Sequence, residues 1–137
     1  MTEVVVDASA FGPLFFADEA GALFDALPEL IAEGRCVVPQ HWRLEVTNQI
    51  LSGLRRKRTT GALAEQAMAQ VGKFPLRIDD RTADRFAESY VLASRHGLTI
   101  YDAAYLELAL RLGATVVSYD SDLRRAAHAE GVNLLPE

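Results

Sequence analysis

Residues 114–118 read ATVVS. A short apolar run with β-branched residues at its centre suits a buried strand and is too brief for a helix. Its flanks sharpen that reading. Gly113 stops a helix that Thr99 opens, and Asp120 or Ser121 starts another that runs to Glu130 and ends at Gly131. Helix, glycine, strand, acid and helix follow one another within about thirty residues, the size of one strand–helix–strand unit. Alternation of this kind implies a parallel sheet covered on both faces, an α/β fold.

The same grammar extends outward. Glu3 to Asp7 (EVVVD) predicts a short buried strand, and Ala8 to Phe16 starts a helix. Helical character continues over residues 20–33, where Pro28 kinks or divides it and Gly34 stops it. Arg35 to Val38 predicts a second strand, closed by Pro39. Gln40 to Leu54 then forms a helix with Trp42, Val46 and Ile50 on one face. Thr59 to Val71 is a further helix, capped by Thr59 or Thr60. Leu76 to Ile78 is a short strand, and Asp79 or Asp80 caps a helix to about His96, stopped by Gly97. Val132 to Leu135 is a last short strand. In such sheets, sites form beyond the carboxyl ends of the strands.

The chain has 137 residues, half of them apolar, which suits one domain spanning 1–137 with one core. No apolar run approaches the roughly 20 residues that cross a bilayer. Met1 is followed by Glu3 and a β-branched run rather than a basic, then apolar, leader, and the single cysteine, Cys36, lies in a strand. Both features predict a reducing, cytoplasmic setting. The net charge of −5 argues against holding nucleic acid by bulk electrostatics, although a nuclease whose acids bind metal stays compatible with it.

Four acids stand at the edges of these elements: Asp7, Glu45, Asp102 and Asp120. Taken singly, each has an ordinary explanation. Asp7 and Asp120 can cap helices. Asp102 follows Thr99 by three residues, as in a capping box. Glu45 can be solvated, with Asn48 one turn further along. In such a fold the four could gather at one sheet edge, where two like charges about 6 Å apart would repel by about 3 kcal/mol. Such a cluster takes up protons or binds a cation, and oxygen-only ligands favour Mg²⁺ or Mn²⁺. Ser9 and Ser118 supply hydroxyls beside the first and last acids.

Four segments carry a resemblance: VVVDAS (4–9), PQHWRLEVTN (39–48), LTIYDAAYLELA (98–109) and TVVSYDSDL (115–123). In this order and spacing the chain resembles the PIN domain family of metal-dependent ribonucleases, and within it the VapC-type toxins of bacterial toxin–antitoxin pairs. The resemblance implies a three-layer α/β/α sandwich with a central parallel sheet. It implies endonucleolytic RNA cleavage, leaving 5′-phosphate and 3′-hydroxyl ends, with one or two Mg²⁺ (or Mn²⁺) ions held by Asp7, Glu45, Asp102 and Asp120. Asp7, Asp102 and Asp120 would be direct or water-mediated ligands. Glu45 would bind a second metal or help deprotonate the water, and Ser9 and Ser118 would steady the ligands from behind. The hydroxyl before the last acid is often threonine in such proteins and is serine here. Asn48 and Asp122 are weaker carry-overs.

The resemblance also implies a small VapB-type antitoxin and a homodimer, with operator DNA bound only through the antitoxin. Phe11, Leu14, Phe15 and Phe16 could line the antitoxin's groove or pack the core. Arg55, Arg56, Lys57 and Arg58 could touch RNA or be a solvated helix end. Arg81, Arg85, Arg124 and Arg125 carry less information. Among the isolated histidines, His41 is the best placed to approach a site. Rival readings are a PIN-fold binding module without catalysis and another acidic α/β phosphotransfer enzyme. A phosphatase of the haloacid dehalogenase type wants an acid where Ser9 stands, and a phospho-acceptor domain wants a lysine that neither Lys57 nor Lys73 supplies. Gly72-Lys73-Phe74 is no phosphate loop, and no G-x-G-x-x-G occurs.

Overall fold

The computed structural model describes residues 2–22 and 25–137. Its strands are β1 (Val4–Val6), β2 (Cys36–Pro39), β3 (Arg77–Asp79), β4 (Thr115–Val117) and β5 (Leu134–Leu135). They form one sheet in the order β3-β2-β1-β4-β5, and every pairing is parallel. The described helices are α1 (Gly12–Phe15), α2 (Leu27–Ala32), α3 (Trp42–Arg55), α4 (Gly61–Val71), α5 (Phe86–His96), α6 (Ile100–Leu112) and α7 (Ser121–Ala129).

Side chains alternate between the faces of a strand. Yet Val4, Val5 and Val6 are all buried, as is every residue of β2. Both faces of the central strands are therefore covered, which gives the three-layer α/β/α arrangement. The edge strands β3 and β5 keep partial exposure. Helix α6, buried without a break from Ala103 to Ala109, packs against β1, β2 and β4. Gly113 ends it in the left-handed region at φ 63°, where a side chain would be strained.

The strand order places the site. From β1 the chain steps to β2 and β3 on one side, then returns to lay β4 and β5 on the other. The order reverses between β1 and β4, and the crevice beyond their carboxyl ends is where such sheets bind ligands. Asp7 follows β1 directly, and its N–H donates to Val117 O of β4 at 2.9 Å.

Several boundaries differ from the sequence expectation for local reasons. The stretch 8–16 divides into a 3₁₀ turn at Ala8–Phe11 and α1. Pro28 sits in the first turn of α2, where its fixed φ and missing N–H suit a helix start, so it divides the stretch and kinks nothing. Leu23 and Phe24, within the expected helical stretch 20–33, lie outside the described residues. Pro39 is itself the last residue of β2. Asp79 does not cap α5. Its Oδ2 accepts from the Arg81 N–H and the Thr82 hydroxyl, turning the chain into a 3₁₀ segment, Thr82–Arg85, before α5 begins.

Trp42, Val46 and Ile50 lie buried along α3 as their spacing required. Phe11 meets Trp42 edge-on at 4.8 Å and Phe74 at 5.6 Å. Phe16 lies flush on α3, and a Cβ at Gly53 would stand 2.3 Å from its ring. Phe11 and Phe16 are thus core residues, and of the expected groove only Leu14 and Phe15 stay partly exposed. Cys36 is buried, and burial pushes its thiol up to about 12. No described helix is long and apolar enough to cross a membrane.

Candidate active site

Asp7 anchors the site. It stands where a cap would stand, but its carboxylate caps nothing. Ser9 Oγ donates to Asp7 Oδ2 at 2.7 Å, and Ser118 Oγ donates to the same oxygen at 2.8 Å. The direction of both bonds is fixed by what the hydroxyls accept. Tyr119 N–H donates to Ser9 Oγ and Asp120 N–H to Ser118 Oγ, each at 3.0 Å, so each hydroxyl proton is free to turn toward Asp7. Both hydroxyls therefore serve Oδ2, and among the described residues Asp7 Oδ1 receives no hydrogen bond.

Ser118 is fully buried at the end of β4. Its carbonyl accepts from Arg124 Nη1 at 2.9 Å, and the same guanidinium reaches Leu135 O and Pro136 O. Arg124 thus ties the ends of β4 and β5 together from α7. The sequence offered no signal for this beyond an arginine in the helix that follows the strand.

Glu45 is not the solvated glutamate that its surroundings in sequence allowed. Tyr105 of α6 donates its phenol to Glu45 Oε1 at 2.6 Å, and His41 Nε2 lies 3.3 Å from the same oxygen. His41 also meets Tyr101 O at 3.1 Å. Burial, then the charges of Glu45 and Asp7, push the Tyr105 phenol far up, so it stays a neutral donor. Tyr105 was missed by sequence reasoning. The available signal was its place one turn after Asp102 in an apolar run, since a buried tyrosine needs a partner for its hydroxyl.

The remaining acids come from helix starts. Thr99 Oγ1 accepts from the Asp102 N–H at 3.1 Å and so caps α6, which leaves the Asp102 carboxylate at the positive helix end. Asp120 does cap α7, accepting from the Leu123 N–H at 3.0 Å. It also lines a groove with Ser9 and Asn48.

Each of the four acids feels the charge of at least one other. Burial raises Asp7 to about 6; the two serine hydroxyls pull it down, and the charges of Asp102 and Glu45 push it up. Asp102 is raised by burial, then by Asp120, with Glu45 adding to this and Thr99 and His41 opposing it. Among the described residues none of the four pairs with a lysine or arginine. An oxygen-only set of mutually repelling carboxylates suits a hard divalent cation by its chemistry. As they stand, however, no three acidic, histidine or cysteine side chains among the described residues are grouped to hold a metal ion. Closing on an ion would require side-chain movement. Asp122, a weaker carry-over, is exposed and paired with Arg125.

Known proteins resemble the chain along most of its length. The chain is 27% identical over 123 residues to Ribonuclease VapC3 of Pyrobaculum aerophilum, covering 88% of this chain and 92% of that protein. It is 33% identical over 129 residues to Ribonuclease VapC1 of Mycobacterium tuberculosis, covering 92% of each. Its fold matches the crystal structure of the M. tuberculosis sarcin-ricin loop cleaving toxin VapC20 with a TM-score of 0.66 and 21% identity, over 90% of this chain and 95% of that one. The PIN domain family matches residues 4–129, nearly the whole chain, which carries all four acids and both serines: the protein belongs to the PIN domain family.

Proposed function

We propose that this chain is an endoribonuclease that uses Mg²⁺ or Mn²⁺ and acts as the toxin of a toxin–antitoxin pair. The observation that carries the proposal is the mutual electrostatic repulsion of four carboxylates, without a lysine or arginine partner, near the reversal of strand order. Asp7, Asp102 and Asp120 would hold the ion, with Glu45 either sharing it or assisting at a second. When bound, the ion supplies a water of lowered pKa and charge stabilisation at phosphorus. The chain's own part is positional. Ser9 and Ser118 fix the Asp7 carboxylate through Oδ2 and leave Oδ1 to face a ligand. Tyr105 fixes Glu45 Oε1. Such supporting hydrogen bonds typically contribute about 10–100-fold to metal affinity or activity.

A small VapB-type antitoxin, a homodimer, operator DNA reached only through the antitoxin and a cytoplasmic location belong to the same proposal. The relatives named as ribonucleases support it, and so does the family match. The test is incubation of partner-free protein with RNA in Mg²⁺ or Mn²⁺, beside Asp102→Asn. Cleavage by the native chain alone supports the reading. Cleavage of no RNA would favour a PIN-fold binding module, and equal cleavage by Asp102→Asn would remove Asp102 from the site.

A further inference from the structure

Neither capping nor solvation accounts for His41. It occupies the N-cap position of α3, but its side chain makes no cap hydrogen bond and is only 19% exposed. Its Nε2 meets the backbone carbonyl of Tyr101 at 3.1 Å. A carbonyl can only accept, so Nε2 carries a proton whatever the charge of the ring. The same nitrogen lies 3.3 Å from Glu45 Oε1. Two tyrosines hold the ring in place: Tyr105 meets it edge-on at 5.1 Å, and Tyr101 lies tilted to it at 5.7 Å.

The partners matter because of where they sit. Glu45 lies in the first turn of α3, and Tyr101 lies in the first turn of α6, directly before Asp102. The two acids thus reach the crevice on separate helices. Among the described residues, two hydrogen bonds cross between these helix starts: His41 donates to Tyr101 O, and Tyr105 donates to Glu45 Oε1 at 2.6 Å. Tyr105 and His41 both stand at Oε1, and Glu45 Oε2 receives no hydrogen bond among the described residues. Misplacing a reacting group by about 1 Å can cost about 100-fold in rate. A link that sets the position of Glu45 against Asp102 therefore bears on the reaction without touching substrate.

We propose that His41 is a positioning residue of the cleavage reaction: its Nε2–H ties the first turn of α6 to the start of α3 and, with Tyr105, holds Glu45 by Oε1, which leaves Oε2 to the reacting groups at a fixed separation from Asp102. The proposal rests on the ribonuclease reading above and adds to it a residue that acts through Glu45. The role needs no change in the charge of the ring, because the Nε2–H is present in both the neutral donor form and the cation.

The test is a double-substitution cycle. His41→Phe keeps a ring between the two tyrosines and removes the N–H, whereas His41→Gln places an amide N–H near the Nε2 position. Each is made in the native chain and in Glu45→Gln, with thermal unfolding recorded. In the native chain, His41→Phe should lower kcat for RNA cleavage roughly 10–100-fold with KM changed by less than about twofold, and His41→Gln should keep kcat within about threefold. In Glu45→Gln, His41→Phe should cost no more than about twofold further, because the carboxylate it serves is gone. An unchanged kcat in His41→Phe overturns the proposal, and so does an equal loss in both backgrounds, which is the mark of a merely structural residue. Should His41→Phe fail to fold, His41→Asn replaces it, since its shorter amide stops short of Tyr101 O. If Glu45→Gln cuts too slowly to measure, or if the native protein cuts nothing and the ribonuclease reading has failed by itself, crystal structures of the native protein and His41→Phe decide the positioning. Displacement of the Glu45 carboxylate against Asp102 by about 1 Å or more supports it, and an unchanged placement overturns it.

Discussion

Two acidic clusters in this molecule received opposite treatment. On one side of the sheet, Glu107 of α6 is 3% exposed and takes Arg111 Nε at 2.9 Å and Arg85 Nε at 3.3 Å. Arg111 also makes a two-pronged contact with Asp79 at the end of β3, at 3.1 and 3.0 Å. Two acids face two arginines there, so the charge closes on itself. At the crevice between β1 and β4, Asp7, Glu45, Asp102 and Asp120 meet no arginine or lysine among the described residues, and His41 beside Glu45 is the one basic group in contact. Both clusters bury carboxylates, but only the second leaves their repulsion standing. That difference separates a fastening from a site, because uncompensated charge persists in a fold when a ligand will meet it.

The comparison can be broken at either end. The largest effect is expected at the fastening. Arg111→Ala leaves Asp79 without a cationic partner and Glu107 with Arg85 alone, and should lower unfolding free energy by about 3–5 kcal/mol in urea titration. Loss under 1 kcal/mol would mean the network is not what holds β3 to α6. At the site the sign reverses. Asp7 is pushed up to about 6, chiefly by burial, so its charge opposes folding at neutral pH. Asp7→Asn should raise stability by up to about 3 kcal/mol in chelator at pH 7, while reducing RNA cleavage at least ~100-fold. A destabilised variant would contradict this.

The same contrast appears as opposite pH slopes. The folded state binds the Asp7 proton more tightly than the unfolded chain does, so stability should rise as pH falls from about 6 toward 4. Burial pushes Asp79 up, but the bonds from Arg111 and Thr82 outweigh it and hold the carboxyl below its usual range. Its contribution is complete above about pH 4 and is lost as pH falls through its folded value. Urea titrations of native chain, Asp7→Asn and Asp79→Asn across this range separate the two: Asp7→Asn should lose the rise below pH 6, and Asp79→Asn should lose the fall below about pH 4. The smallest effect is expected at Tyr105→Phe, which removes the donor to Glu45. It should cost about 1 kcal/mol of stability but roughly 10–100-fold in metal-dependent activity. Unchanged activity would remove Glu45 from the chemistry.

How much of this the residues announced depended on how local the cause was. β1 and β4 were readable because runs of valine suit a strand buried on both faces, and α6 because Thr99 and Gly113 mark its ends. The start of α5 was not, because Asp79 spends its carboxylate on Arg81, Thr82 and Arg111 rather than on a helix cap. The serines beside the acids were visible as hydroxyls near strand ends, but their convergence on one oxygen of Asp7 joins residues more than a hundred positions apart. Tyr105 on Glu45 and Arg111 on Asp79 are long-range choices of the same kind. A phenylalanine-rich stretch suggested a groove at residues 11–16, yet Phe11 and Phe16 went to the core, where Trp42 and Gly53 receive them.

The central claim is that the unneutralised acids await a divalent cation. Titration of the purified chain with Mn²⁺, followed by electron paramagnetic resonance of the free ion, tests it without reliance on any RNA. Saturable binding is expected in the native chain, weakened at least about tenfold in Asp7→Asn and in Asp102→Asn. Equal Mn²⁺ uptake by the native chain and both aspartate variants, or none by any of them, would contradict the assignment of this crevice as a metal site.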